Sequence, residues 1–234
     1  MTNNKIKIKF LGLSVTIKNP FACQNNSIIL TKNNKSKKLY FVKGLKIKFY
    51  GSNNKIEFFD KIPKFKNCYL ECGDNNQISF KKTNYRIKNL YINARAKNTI
   101  VDVGENFSIE SGKFDVHGEP NTSIYIGEDC QFGCKISLDT ADGHTIYNEY
   151  SNQILNLPKD ISIGSHVWLC ENVSVLKGSV IADNCLVGKN SLVSGKFLEN
   201  NKVITGCPAK VINNPKYENV NWSRKAVKEF VKVE

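Results

Sequence analysis

The chain has 234 residues, and its 34 Lys and Arg against 21 Asp and Glu give a formal net charge of +13. Hydrophobic residues make up 41% and charged residues 24%, which is typical of a soluble globular protein, and no run reaches the ~18 apolar residues of a membrane span. The positive charge favours anionic partners. Because Lys, Asn and Ile crowd the whole chain, a biased composition explains the excess equally well.

The N-terminal segment is predicted to contain a strand rather than a signal peptide. Lysines at positions 5, 7 and 9 alternate with Ile6, Ile8 and Phe10, as on a half-exposed strand, and no small-residue cleavage site follows. We therefore expect a cytoplasmic location. Residues 1–45 are strand-like but irregular, and KNNKSKK at 32–38 is expected to be a solvated loop.

A long repeat follows, in which similar segments recur about every 22 residues. GSNNKIEF begins at Gly51, GDNNQISF at Gly73, RAKNTIV at Arg95 and GEPNTSIYI at Gly118. The aligned residues are asparagines and isoleucines, namely Asn54, Asn76, Asn98, Asn121, Ile56, Ile78, Ile100 and Ile124. Such a period fits one solenoid coil of about 18 residues with a few extra loop residues. Asn and Gly suit its corners because they tolerate left-handed backbone conformations.

A six-residue repeat dominates residues 163–193. An aliphatic residue occurs at every sixth position, at Ile163, Leu169, Val175, Ile181, Val187 and Val193. Three units form one coil of a β-solenoid with strands about 4.8 Å apart, which places Ile163 under Ile181, Leu169 under Val187 and Val175 under Val193. The second inward positions hold small or β-branched residues, namely Val167, Val173, Ser179, Cys185 and Ser191. An antiparallel sandwich would instead alternate in twos, with turns every 8–12 residues.

The repeat breaks at His144, six residues after Leu138, and resumes at Ile161. An interruption in a rigid repeat is a favourable place for a binding loop. His144 follows Asp139 and Asp142, and a neutral imidazole beside a carboxylate is a suitable general base. The alternative is an ordinary surface histidine. His117 and His166 are interpreted as structural, and because the three histidines lack the spacing of a zinc site, no metal is expected.

Eight scattered cysteines, without a CxxC motif, are interpreted as reduced thiols that are mostly small core residues. Near the C-terminus, Asn221 and Trp222 precede a segment that predicts a short helix from about Ser223. Its apolar residues share one helical face and are Ala226, Val227, Phe230 and Val231. We divide the chain into loose coils over 1–100, a regular β-helix over 101–212 with a catalytic loop at 139–160, and a helical tail over 213–234.

The six-residue repeat, DGHTIYN at 142–148, IGSHVW at 163–168 and GCPAKVI at 206–212 occur in one order. In these motifs the sequence resembles the hexapeptide-repeat (left-handed β-helix) acyltransferases, and within them the branch that O-acetylates bacterial capsular and lipo-oligosaccharide sugars, including sialic acid. The likeness is clear from about Ile124 to Trp222 and only architectural before that. It implies an all-β, left-handed parallel β-helix and direct transfer from acetyl-CoA to a sugar hydroxyl.

The resemblance also implies roles for particular residues. His144 would be the general base, with Asp142 as its orienting partner and Asp139 in reserve. Trp168 and Tyr147 would contact the pantetheine arm or the acceptor. Three positions would line the coenzyme A groove, namely Cys170, Lys189 and Ser191. Two lysines would meet the phosphates of coenzyme A, namely Lys196 and Lys210. Cys170 replaces the family's usual glycine, and GKNS at 188–191 replaces its common GAGS.

Relatives in this family are commonly homotrimers, which predicts that His144 of one subunit faces coenzyme A held partly by another. The acceptor would be a sugar or oligosaccharide, with an anionic sugar as a candidate. Two alternatives stay open: N-acetylation of an amino-sugar nucleotide, and a non-catalytic basic solenoid that binds an anionic polymer. Nucleic acid is not expected, because aromatic residues are not interleaved with the lysines in any one stretch.

Overall fold

The computed structural model describes the backbone of residues 5–10, 13–18, 23–225 and 229, and the side chains of the last two of these ranges. The described chain forms three sheets, which we call faces A, B and C. Face A consists of β1 (Lys5–Phe10), β2 (Leu13–Lys18), β5 (Leu45–Phe49), β8 (Cys68–Cys72), β11 (Leu90–Ala94), β14 (Gly112–Asp115), β17 (Ile136–Asp139), β20 (Ser174–Leu176) and β23 (Leu192–Val193).

Face B consists of β3 (Ser27–Lys32), β4 (Lys35–Lys38), β6 (Lys55–Phe59), β9 (Gln77–Phe80), β12 (Ile100–Val103), β15 (Ser123–Ile126), β18 (Ile161–Ile163), β21 (Val180–Ile181) and β24 (Lys196–Phe197). Face C consists of β7 (Lys64–Lys66), β10 (Arg86–Lys88), β13 (Ser108–Ile109), β16 (Gln131–Phe132), β19 (Trp168–Leu169), β22 (Leu186–Val187), β25 (Val203–Gly206) and β26 (Ala209–Val211). A 3₁₀ turn follows at Pro215–Tyr217.

The chain runs through faces B, C and A in turn, so that β15, β16 and β17 form one coil and β18 begins the next. From β5 to β24, strands of successive coils pair in parallel. An antiparallel hairpin of β3 and β4 precedes these strands, and an antiparallel hairpin of β25 and β26 follows them. The prism has three edges, which we name A–B, B–C and C–A after the faces they join. This parallel β-helix confirms the predicted solenoid.

The six-residue repeat predicts the register of the core correctly. Ile163 pairs with Ile181, Leu169 with Val187 and Val175 with Val193. The residues at the second inward positions are also buried, namely Val167, Val173, Ser179, Cys185 and Ser191. Side chains at every sixth position therefore form columns that run along the axis of the prism.

The asparagines of the longer repeat belong to two columns rather than one. Asn54 and Asn76 are buried, and the Asn54 side chain accepts a hydrogen bond from the Asn76 backbone N–H. The next member of this column is Thr99, whose N–H donates to the Asn76 side chain. Asn98 instead lies at an exposed corner with φ of 57°. The alignment of Asn98, Asn121 and Ile100 was wrong by one residue, because the coil before each is one residue longer. Asn121 lies in the corner column, where it accepts from the Asn98 side chain, and Val101 takes the inward position beside Ile78.

The segment at 32–38, expected to be a loop, is a hairpin. β3 and β4 pair antiparallel around Asn33 and Asn34, which both have positive φ. Two consecutive residues with positive φ are typical of the tight turn that suits the twist of paired strands. All residues from 32 to 38 are nevertheless exposed, as expected.

At the other end of the chain, residues 223–225 are not helical, and Ala226, Val227, Phe230 and Val231 lie outside the described residues. Cys68, Cys72, Cys130 and Cys185 are reduced thiols buried in the core. In the described part of the chain, no helix has the length and apolar character needed to cross a bilayer.

Candidate functional site

The A–B edge carries one long loop, between the end of β17 at Asp139 and the start of β18 at Ile161. Its two arms run antiparallel: Tyr147 and Ile154 form a β-bridge, and the Leu155 N–H donates to the Ile146 carbonyl at 2.8 Å. The loop enters through Gly143, whose φ of 82° favours glycine. This loop is the interruption predicted at 145–160.

His144 is exposed at the base of the loop, and Asn156 holds its backbone. The Asn156 Nδ2 donates to the His144 carbonyl at 2.7 Å, and the Asn156 Oδ1 accepts from the Ile146 N–H at 2.7 Å. The imidazole ring makes no hydrogen bond to the described part of the chain. The backbone is thus fixed while the ring is open to an incoming group.

Asp142 braces the loop and does not contact the His144 ring. Its Oδ2 accepts from Asn156 Nδ2 at 2.9 Å and from the Nζ of Lys177, which also donates to the Asn156 carbonyl at 2.9 Å. The hydrogen bond from Lys177, and then that from Asn156, lower the pKa of Asp142. This carboxylate is therefore ionised at neutral pH and tied to the next coil. Sequence reasoning missed Asn156 and Lys177, which lie 14 and 35 residues from Asp142.

Asp139 lies on face A, where Ser137 Oγ donates to its carboxylate and Asp115 is its neighbour on the adjacent strand. Burial, and to a smaller extent the charge of Asp115, raise the pKa of Asp139. His117 follows Asp115 on the coil below His144, at the same A–B edge. Gly118 beside it packs so closely that an added Cβ would lie 2.8 Å from the Ala141 Cβ. The two exposed histidines of the edge are thus on neighbouring coils.

The C–A edge carries Cys170 and Lys189 on successive coils. The Cys170 N–H donates to the Val187 carbonyl at 3.0 Å, and burial raises the pKa of its thiol. Lys189 points outward, and its Nζ lies 2.8 Å from the Glu171 carboxylate. The Ser191 side chain faces inward, where its Oγ donates to the Gly188 carbonyl at 2.7 Å. At this edge, only the first two positions are open to a ligand.

Trp168 lies on face C, where it packs beside Trp222 with ring centroids 5.9 Å apart. The C-terminal strap, residues 221–224, is fastened there by His166. The His166 ring stacks on Trp222 at 4.3 Å and joins Asp129 Oδ2 through Nδ1 at 2.7 Å. Arg224 donates to Asp129 Oδ1 at 3.2 Å and to the carbonyls of Asn106 and Cys130. The His166 ring therefore has a structural contact, and Trp168 borders a surface that the strap shapes.

The remaining predicted residues are spread over the prism. Tyr147 is in the A–B loop and is 58% exposed. Lys210 is exposed on β26 of face C, whereas Lys196 is exposed on β24 of face B. In the described residues, no three His, Cys, Asp or Glu side chains come together as a group that could hold a metal ion.

One chain thus divides the predicted site between two regions. His144, Asp142 and Tyr147 lie at the A–B edge, whereas Trp168 is on face C, the one face that does not border that edge. Cys170 and Lys189 lie at the C–A edge, on the far side of face A from His144. The buried core fills the prism between them.

Comparison with known proteins gave sequence relatives but no matching family model. The chain is 33% identical over 117 residues to WbbJ of Escherichia coli K12, a lipopolysaccharide biosynthesis O-acetyl transferase by name, covering 47% of this chain and 59% of WbbJ. It is 31% identical over 135 residues to the polysialic acid O-acetyltransferase of Escherichia coli O1:K1, covering 58% of this chain and 42% of that one. The matches span about half the length of these curated relatives.

Among solved structures, the polySia-specific acetyltransferase NeuO superposes with a TM-score of 0.60 at 23% identity, covering 87% of this chain and 80% of NeuO. This similarity identifies the fold as a left-handed parallel β-helix. The matched sequence relatives are O-acetyltransferases by name, and the fold is that of the hexapeptide-repeat (left-handed β-helix) acyltransferases that the sequence resembles.

Proposed function

We propose that this chain is an acetyl-CoA-dependent O-acetyltransferase that modifies a sugar of a bacterial surface glycan. The observation that supports it most is His144, an exposed imidazole held by its backbone where the repeat is interrupted. The matched relatives are acetyltransferases named for lipopolysaccharide and polysialic acid. A location in the cytoplasm, where acetyl-CoA is made, belongs to the same proposal.

The chemistry needs one base and no covalent intermediate. The neutral His144 ring takes the proton of a sugar hydroxyl as that oxygen attacks the thioester carbon of acetyl-CoA. The carbon–sulfur bond breaks, the imidazolium gives its proton to the departing thiolate, and an acetyl ester and free coenzyme A result. Asp142 acts on the ring only indirectly, since its carboxylate holds the loop through Lys177 and Asn156.

The C–A edge and face C carry groups suited to coenzyme A. Backbone at Cys170 and Lys189 lies at an open edge, Trp168 offers an aromatic surface, and Lys210 makes no ion pair within the described residues. Lys189 is 60% exposed, so its ammonium can exchange Glu171 for a phosphate at small cost. The buried Ser191 side chain fits only a packing role, and Lys196 on face B is separated from this group.

A complete site then needs two copies of the chain, because the base and the coenzyme surface lie on different sides of one prism. The loop that carries His144 also exposes apolar side chains that a second copy would cover, namely Ile146, Tyr147, Tyr150, Ile154, Leu155 and Leu157. We therefore propose a closed homotrimer in which each loop meets its neighbour. Equilibrium ultracentrifugation that finds a monomer under conditions of activity would contradict this arrangement.

The direct test compares His144→Ala with His117→Ala, a histidine of the same edge one coil away. Both variants are incubated with acetyl-CoA and candidate sialylated and neutral oligosaccharides, and acetyl gain is followed by mass spectrometry. We expect the His144 variant to lose a factor of about 10²–10⁴ in turnover with unchanged circular dichroism, and the His117 variant to stay active. A fully active His144 variant would reject the proposal, and a product stable to base would indicate an amide and N-acetylation.

A further inference from the structure

The N-terminal end of the β-helix contains a cleft of about 1000 Å³ that the proposed reaction does not use. It lies between residues 37–43 and β7, the terminal strand of face C among the described residues. Its inner wall is apolar, with Val42 and Phe65 both buried, and its rim holds Tyr40 and Phe41, which are 79% and 46% exposed. We call it the basic cleft because of the charges described next.

None of the thirteen residues that line the cleft is acidic, and six of them are basic, namely Lys37, Lys38, Lys43, Lys64, Lys66 and Arg86. Within the described part of the chain, none of the six forms an ion pair, whereas other lysines on the prism do, such as Lys88 with Glu110. Positive charge is therefore more concentrated in the cleft than the chain's general excess of lysine would produce.

The strand register places like charges side by side. Arg86 on β10 is the direct partner of Lys64 on β7, and Lys88 is that of Lys66. Like charges at directly paired positions destabilise a sheet. Glu110 relieves this repulsion at Lys88, but no carboxylate in the described chain does so at Lys64, Lys66 or Arg86. An anionic ligand in the cleft would supply the missing counter-charge.

We propose that the basic cleft binds an acidic polysaccharide, with carboxylates at Lys64, Lys66 and Arg86 and the apolar faces of sugar rings packed on Tyr40 and Phe41. This inference rests on the proposed function and assigns the substrate class: a polymer of acidic sugars that is anchored away from the reacting hydroxyl. The cleft is concave, which suits a single chain better than a membrane surface.

The cleft is too far from His144 for one sugar to reach both. On face A, β8 and β17 belong to the coils of the cleft and of His144, and three strand spacings separate them, or about 14 Å along the axis. The two places also lie on different faces. A polymer can occupy both places at once, whereas a monosaccharide can occupy only one of them.

The test measures binding by fluorescence anisotropy, without acetyl-CoA, of end-labelled polymers of sialic acid and of a uronic acid, with neutral dextran as reference. We expect the acidic polymers to bind and dextran not to bind. The double variant Lys64→Gln/Arg86→Gln should bind about tenfold more weakly at ~0.1 M salt, and Tyr40→Ala severalfold more weakly. The matched control Lys97→Gln/Lys216→Gln, with the same change in net charge at exposed lysines outside the cleft, should bind as the wild type does.

Equal weakening in the cleft and control variants would overturn the proposal, since binding would then follow net charge alone. Binding of a single-stranded oligonucleotide or of anionic vesicles through the cleft, without binding of acidic glycans, would overturn it as well. His144→Ala should keep full binding. If the wild type acetylates only neutral sugars and binds no acidic polymer, the cleft assignment fails while the acetyltransferase stands. If the polymer binds to the cleft but is never acetylated, the cleft assignment stands and the proposed acetyltransferase activity on this substrate fails.

Discussion

Replacing Lys177 by Met should loosen the loop that carries His144 without unfolding the prism. The ammonium of Lys177 joins Asp142 to the Asn156 carbonyl, and the methionine keeps most of the stem but neither contact. The Lys177 side chain is 18% exposed and that of Asp142 40%, so solvent screens the pair and it contributes about 1 kcal/mol. If that energy holds the base in place, kcat should fall about fivefold, the rate equivalent of about 1 kcal/mol.

The assay combines steady-state acetyl transfer with limited proteolysis of the loop at neutral pH. The pKa of Asp142 is lowered, chiefly by Lys177, so the brace is present above the ordinary carboxylate pKa and is lost only as the pH falls through the lowered value. We expect faster cleavage within 143–155 in Lys177→Met and no change in Lys82→Met, which removes an ion pair to Glu105 elsewhere. Wild-type kcat together with wild-type cleavage would refute the bracing role.

Two further predictions concern the N-terminal coils. Asn76→Ala removes the buried hydrogen bonds with Thr99 and with a buried carbonyl, and it should lower the free energy of unfolding in urea by about 3–5 kcal/mol. Asn98→Ala, at an exposed corner, should lower it by only about 1–2 kcal/mol. Equal losses of unfolding free energy in the two variants would contradict the two-column assignment. Burial would raise the pKa of Glu71, but hydrogen bonds from three tyrosine hydroxyls hold it at about 2. Glu71→Gln should therefore be about 2 kcal/mol less stable at pH 7, and the difference should shrink as the pH falls from about 4.5 towards 2; a difference independent of pH would contradict this.

The regular part of the fold could be predicted from the sequence because the inward positions recur at the same place in every six-residue unit. Ile163, Leu169 and Val175 repeat every six residues and pair as that period requires. In the longer coils the same reasoning gave the wrong alignment at Asn98, because the sequence does not distinguish an asparagine at an exposed corner from a buried one. Only the paired strands separate the column of Asn76 and Thr99 from the corner column.

The candidate site was harder to predict, because its contacts join distant parts of the chain. The position of His144 followed from the broken repeat, but the partner of Asp142 could not, since Lys177 comes from the next coil. Likewise, nothing near His166 in the sequence indicates its stacking on Trp222, 56 residues later. The placement of His144 and Trp168 on separate sides of the prism becomes visible only when the three faces are assigned.

The central claim is that two copies of the chain share each site, and subunit mixing tests it most directly. His144→Ala and Trp168→Ala, each checked for native circular dichroism and each nearly inactive alone, are dissociated together and reassembled in equal amounts. If His144 and Trp168 of different copies meet, random trimers regain about a quarter of wild-type activity, because each site needs one intact residue from each of two subunits. Activity no higher than the mean of the two inactive variants would contradict the shared site.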